Sequence, residues 1–205
     1  MRTILLTCCL FMGTILSAQN NVLIEIENAN ADYKVITGDF VRTQTNVAKG
    51  TSIKADGTLY IVGEDQMAQY YKAPSTDLLI INGNDFYMIR GKKTNKFNTE
   101  KNKTMRSLRN TLLYCVHGKP MVLATENGAE ITAEKKANEY EVVLISTKKT
   151  PRGYAKIVLT YDLKSKLLTK MQMDEYNGNS TLYEMNNLKT NGNIDTKVFD
   201  IPEKK

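Results

Sequence analysis

A chain of 205 residues with 28 Lys and Arg against 22 Asp and Glu, a net charge of +6, is long enough to bury a core of its own and is only mildly basic. A single histidine excludes a multi-histidine metal site, and three cysteines, two of them adjacent at Cys8 and Cys9, exclude a disulfide-stapled fold. The chain has no glycine-rich phosphate loop, dinucleotide-binding turn or nucleophile elbow, so the expectation is a protein that is not an enzyme and uses no cofactor.

Arg2, an apolar run from Ile4 to Leu16, and Ser17-Ala18-Gln19 open the chain. An early positive charge, a moderate apolar core and a small residue before a polar one predict a secretory signal over 1–18, shorter than the about 20 apolar residues of a permanent span. Cys8 and Cys9 leave with it, so Cys115 is the lone thiol of a single domain over 19–205. Burial is the commoner fate of such a thiol, and pairing between molecules is the alternative. No comparable apolar stretch follows, which predicts a soluble, exported domain.

Residues 22–37 place Leu23, Ile26, Ala29 or Asn30, and Tyr33 at helical spacing, predicting a helix. From Phe40 onward the period shortens to that of strands. They are predicted at 38–45, 51–62, 67–72, 77–82, 85–90, 94–98, 129–134, 139–146, 153–161, 166–176 and 180–189, with a last one over Val198-Phe199-Asp200-Ile201. Asp56-Gly57, Asn82-Gly83, Asn127-Gly128, Asn177-Gly178 and Asn191-Gly192 read as turns, because these pairs tolerate positive φ. One interruption, 103–117, carries Met105, Leu108, Leu112 and Cys115 or Val116 on a helical stripe. Strands in succession with so little helix predict a mainly β fold, a curved antiparallel sheet with one or two helices over one side.

Candidate chemistry along these elements is thin. Cys115 and His117 are two apart on the predicted helix and point in different directions, so His117 is read as capping carbonyls at the helix end. Glu139 and Glu141 alternate with Tyr140 and Val142 as a wet face does. The densest basic stretch, Lys92-Lys93, Lys96, Lys101, Lys103, Arg106 and Arg109, has few aromatics among it, so nucleic acid is not an expected partner. Thr58 to Val62 and Leu78 to Ile81 are large or apolar on both faces and need cover on both. What the helices leave uncovered is either core or a cavity for an apolar ligand, and Met67, Met88, Met105, Met121, Met171, Met173 and Met185 suit either.

A more specific pattern runs from Phe40 to Met88. Asp39-Phe40-Val41-Arg42-Thr43-Gln44 is followed by Ala55-Asp56-Gly57-Thr58-Leu59-Tyr60-Ile61, and then by Met67-Ala68-Gln69-Tyr70-Tyr71-Lys72-Ala73-Pro74. Next come Leu78-Leu79-Ile80-Ile81-Asn82-Gly83-Asn84-Asp85-Phe86-Tyr87-Met88 and, near the end, Asp195-Thr196-Lys197-Val198-Phe199-Asp200-Ile201-Pro202. In order and spacing these segments resemble the periplasmic lipoprotein-carrier family, LolA and its relatives, over nearly the whole predicted mature chain.

The resemblance implies an incomplete antiparallel β-barrel, a half barrel whose concave apolar face is covered by short helices. It implies a monomeric periplasmic carrier that shields the acyl chains of lipoproteins between an inner-membrane ABC exporter and an outer-membrane receptor. An exposed acyl chain costs about 0.8 kcal/mol per CH₂, so an aqueous carrier must cover it. Carried over, the ligand-binding face comprises Leu59, Ile61, Met67, Tyr71, Leu79 and Ile81, with Leu108 and Leu112 on the lid. One departure stands out: the family's lid-latching Arg is matched by Gly63, which passes the role to Arg42 or Arg109 or leaves the lid looser. The same half barrel also suits an envelope module that binds or senses another lipid, an acylated peptide or a protein, or a structural envelope protein whose face is closed core.

Overall fold

The computed structural model describes residues 21–75, 77–148 and 153–201. The predicted signal over 1–18 lies outside them. Among the described residues no helix is long and apolar enough to cross a membrane.

A helix over 21–31, α1, leads into β1 (Val35–Asn46), β2 (Thr51–Val62), β3 (Gln66–Tyr71), β4 (Leu78–Asn82), β5 (Asp85–Arg90) and β6 (Lys93–Asn98). Helices α2 (Lys103–Val116) and α3 (Pro120–Asn127) then lead to β7 (Ala129–Lys135), β8 (Glu139–Ser146), β9 (Tyr154–Asp162), β10 (Leu168–Glu175) and β11 (Ser180–Thr190). All eleven strands form one sheet in the order β6-β5-β4-β3-β2-β1-β11-β10-β9-β8-β7. Every pairing is antiparallel, and β11 returns beside β1 to join the two arms. The ends do not close, so the sheet is an open half barrel with helices on one side.

Four local expectations differ. Val35, Ile36 and Thr37, predicted as helix, begin β1 opposite Val62, Ile61 and Tyr60. Their β-branched side chains lose rotamers in a helix and gain a ladder here. Asp56-Gly57 is not a turn but lies within β2, opposite Val41 and Phe40. A Cβ on Gly57 would come 2.2 Å from the Tyr70 carbonyl oxygen and 2.8 Å from the Phe40 ring, so the glycine serves close packing. Asn127-Gly128, expected as a turn, is the end of a helix over Pro120–Asn127, with Pro120 in its first turn and Gly128 in the left-handed conformation at its end.

The fourth difference is at the C-terminus, where the predicted strand over 198–201 is instead a one-turn 3-10 helix, Thr196–Phe199, capped by the Asp195 side chain on the Lys197 N–H. It lies on the convex face, where Phe199 packs with Ala68, Leu78, Ile80, Tyr87 and Ile89, and the Tyr70 hydroxyl donates to the Val198 carbonyl at 2.9 Å. Leu78 to Ile81 therefore have the two covers their sequence requires: Leu79 and Ile81 face the helices, Leu78 and Ile80 this segment.

Candidate functional site

Alternation along β2, β3 and β4 brings the predicted sheet residues together. Register sets Ile61 against Met67 and Met67 against Ile81, with Phe86 beyond; the next row runs Leu59, Gln69, Leu79 and Met88. Tyr71 pairs with Gly57 and meets the Phe40 ring edge to face at 5.0 Å. Gln69, buried in the second row, is served by the Tyr71 hydroxyl, which donates to Oε1 at 3.3 Å. Leu112 is buried over this surface and Leu108 is half-buried against it. All the residues assigned to the ligand face and lid thus belong to one apolar cluster, packed shut.

The open space lies over the other arm. A cleft of about 750 Å³ separates the first turns of α2 and the end of α3 from β7 to β9. Leu144, Tyr154 and Ile157 form its sheet side, and Thr104, Ser107 and Glu126 are on its helical side. None of the predicted ligand-face or lid residues lines it. Its apolar wall continues into the core through Val142, Leu159 and Tyr161, the inward positions of β8 and β9. The alternation Tyr140, Val142, Leu144 and Ile157, Leu159, Tyr161 is visible in the sequence; that a helix stops short of covering its ends is not.

Polar contacts hold the helices unevenly. On α2, Arg109 Nε donates to the Gly83 carbonyl in the β4–β5 turn at 2.8 Å, and Arg106 Nε donates to the Thr99 carbonyl at 2.9 Å. Just beyond α2, Lys119 Nζ reaches Glu64 in the β2–β3 turn at 2.9 Å, and the ammonium holds that carboxyl below its usual range. The Arg109 bond joins lid to sheet, as one latch candidate requires; Gly63, at φ +57, sits in the β2–β3 turn rather than on the concave face.

α1 closes the opposite end of the second arm. Its Glu25 accepts from the Tyr140 hydroxyl at 2.8 Å and pairs with Lys166 at 3.0 Å, while Asn30 Nδ2 donates to the Lys166 carbonyl at 2.8 Å. The Tyr140 hydroxyl foremost, then Lys166, lowers the Glu25 carboxyl pKa.

The other latch candidate, Arg42, sits in β1 on the concave side, its guanidinium 4.5 Å from the centre of the Tyr71 ring. Such cation–π contact contributes about 0.5–2 kcal/mol. It makes no bond to the lid; its Nε is buried without an acceptor among the described residues.

Cys115 is buried and its thiol is pushed up by desolvation, while burial holds the His117 imidazole below its ordinary value. A thiolate–imidazolium pair is disfavoured on both sides. The expected carbonyl cap is made by the His117 backbone N–H, on Leu113 and Cys115, not by the ring, whose Nε2 has no partner among the described residues. Among those residues no cluster of three His, Cys, Asp or Glu is placed to hold a metal ion. The arrangement is that of an open sheet whose apolar face is covered by helices, with a cleft beside the first turns of α2 and the end of α3.

Comparison with known proteins places the chain more closely. The family model described as outer membrane lipoprotein carrier protein LolA matches residues 31–202. Among solved structures, an uncharacterized conserved protein from Thermus thermophilus superposes with a TM-score of 0.54 at 10% identity, covering 91% of this chain and 95% of that one. MucB superposes at 0.53 and 8% identity, covering 92% of this chain and 64% of that one. A DUF1329 family protein from Desulfovibrio piger gives 0.51 and 10%, covering 91% and 97%. At such identities these likenesses show the shared fold alone. A search of curated proteins finds no match.

Proposed function

Since the chain belongs to the outer membrane lipoprotein carrier protein LolA family, we propose that it is a non-catalytic carrier of the cell envelope that takes up lipoprotein acyl chains beneath α2 and α3. Its place is the periplasm, between an inner-membrane exporter that loads it and an outer-membrane receptor that relieves it. The observation that carries this reading is the cleft of about 750 Å³, apolar on its sheet side and open to solvent beside a helical lid. That volume lies within the about 300–1,000 Å³ of small-molecule sites. Longer or additional chains enter by displacing α2 from β10 and β9, exchanging helix–sheet contacts for ligand–sheet contacts. Such an exchange is near neutral in free energy, as loading and release both require.

Native mass spectrometry of the protein isolated from its own periplasm, followed by extraction, tests the reading. Recovery of an acylated lipoprotein or its N-terminal peptide is the expected result. Recovery of a free lipid instead assigns the half barrel to binding or sensing, and an empty, ligand-refractory protein removes both.

A further inference from the structure

Arg42 is a half-buried cation on the apolar side of the sheet with no carboxylate paired to it among the described residues. β1 places it on the concave face two residues beyond Phe40, opposite Ala55 of β2 and Tyr183 of β11. No carboxylate among the described residues lies within 4.0 Å of it, and Nε has no acceptor there. The other described arginines differ: Arg90 lies 4.0 Å from Asp77, Arg106 bonds the Thr99 carbonyl and Arg109 the Gly83 carbonyl. Nε is thus shut off from water without a partner, which is unfavourable, while the half-buried guanidinium keeps a planar fork that suits an oxyanion.

The sheet also supplies a path from this cation to the cleft. Arg42 pairs with Tyr183 and Tyr183 with Met171; one row on, Thr181 pairs with Met173 and Met173 with Ile157, which lines the cleft. β1 and β9 are three strand spacings apart, about 14 Å along the sheet, a span that an alkyl chain of lipid length covers. Met171 and Met173 are buried under the helices and unbranched, so they can rearrange around such a chain.

We propose that the site takes an acidic amphiphile, its carboxylate or phosphate head seated on Arg42 beside Tyr71 and its alkyl chain crossing β11 and β10 into the cleft. This rests on the acyl receptacle of the carrier reading and not on a lipoprotein as its cargo: the receptacle is the same, and Arg42 selects among the lipids that enter it.

Isothermal titration of the folded protein at constant ionic strength, with palmitate, methyl palmitate, a short-chain phosphatidylglycerol below its micellar concentration, acetate and inorganic phosphate, provides the test. Palmitate or phosphatidylglycerol is expected to bind at least about tenfold more tightly than methyl palmitate, which of the two does so identifying the head group. Acetate and phosphate bind far more weakly than either. Arg42→Gln is expected to reduce the charged lipid to the methyl ester's affinity, and Arg42→Lys to keep part of the preference. Equal binding of charged and neutral lipids by the unmodified protein overturns the proposal and leaves acyl binding standing. Acetate or phosphate binding as tight as the lipids also overturns it, as a free-anion site. No binding of any lipid overturns the carrier reading and this proposal together.

Discussion

The two arms of the sheet have the same inward alternation and opposite fates. On β2 to β5 the rows Ile61, Met67, Ile81, Phe86 and Leu59, Gln69, Leu79, Met88 lie under α2, which Arg109 and, just beyond the helix, Lys119 pin to the hairpin turns, while Phe199 covers the outer face. On β7 to β9 the inward residues Leu144 and Ile157 face a cleft, because α2 and α3 stop short of them and α1 covers only the far end. One arm is thereby closed core, while the other borders open space even though its Leu144 and Ile157 are only 2% and 5% exposed. A carrier needs both, since a fully closed face has nothing to offer a ligand and a fully open one has little to hold the fold.

The largest expected break in this comparison is Met67→Glu. The side chain is 1% exposed between Ile61 and Ile81, and an unpaired buried charge costs several kcal/mol against a total stability of about 5–15. Loss of the cooperative thermal transition by circular dichroism is expected; a folded, soluble variant would mean that this arm opens as readily as the other.

Next in size is Arg109→Leu, which removes a charge-assisted bond to the Gly83 carbonyl. A loss of about 1.5–3 kcal/mol in urea unfolding is expected, with faster amide exchange in α2 than in β2 or β3. Uniform exchange in α2 before and after the change would show that the contact does not pin the lid.

Ser107→Phe is expected to act on the other arm alone. Its side chain enters the cleft from α2, so stability should move by no more than about 0.5 kcal/mol while the affinity for methyl palmitate falls at least about tenfold. Unchanged affinity would place acyl binding elsewhere on the sheet.

Strand alternation and the Asn-Gly pairs at 82–83 and 177–178 made the hairpins legible in the sequence, and β2, β5 and β8 have their expected bounds. Long-range pairings hid the rest. Val35 to Thr37 join a strand because β2 and β11 wait on either side, Gly57 is small because Phe40 and Tyr70 crowd it, and Phe199 folds inward because β3 to β5 offer an uncovered outer face. For the site, Leu59, Ile61, Met67, Leu79 and Ile81 are recognisable as one apolar face, yet apolar character signals burial equally for core and cavity. Where the space lies depends on where α2 and α3 end relative to β7 to β9, which no local pattern records.

The smallest effect is expected at the junction of the two arms, where α2 ends in His117. Burial first, then Lys119, lowers the imidazole from its ordinary value near 6.5, with Glu64 opposing. The unfolded chain therefore takes up the proton before the folded one, so the imidazole's contribution to stability is complete above about pH 6.5 and lost as pH falls toward the folded value. Carboxylates held low by partners, such as Glu25, Glu64 and Asp162, contribute their own losses only below about pH 4.5. Urea midpoints between pH 7 and 5 should decline for the unmodified protein and stay level for His117→Gln. A midpoint that holds or rises as the unmodified protein is acidified would mean that the ring charges freely, and that the C-terminal end of α2 is open to water rather than sealed.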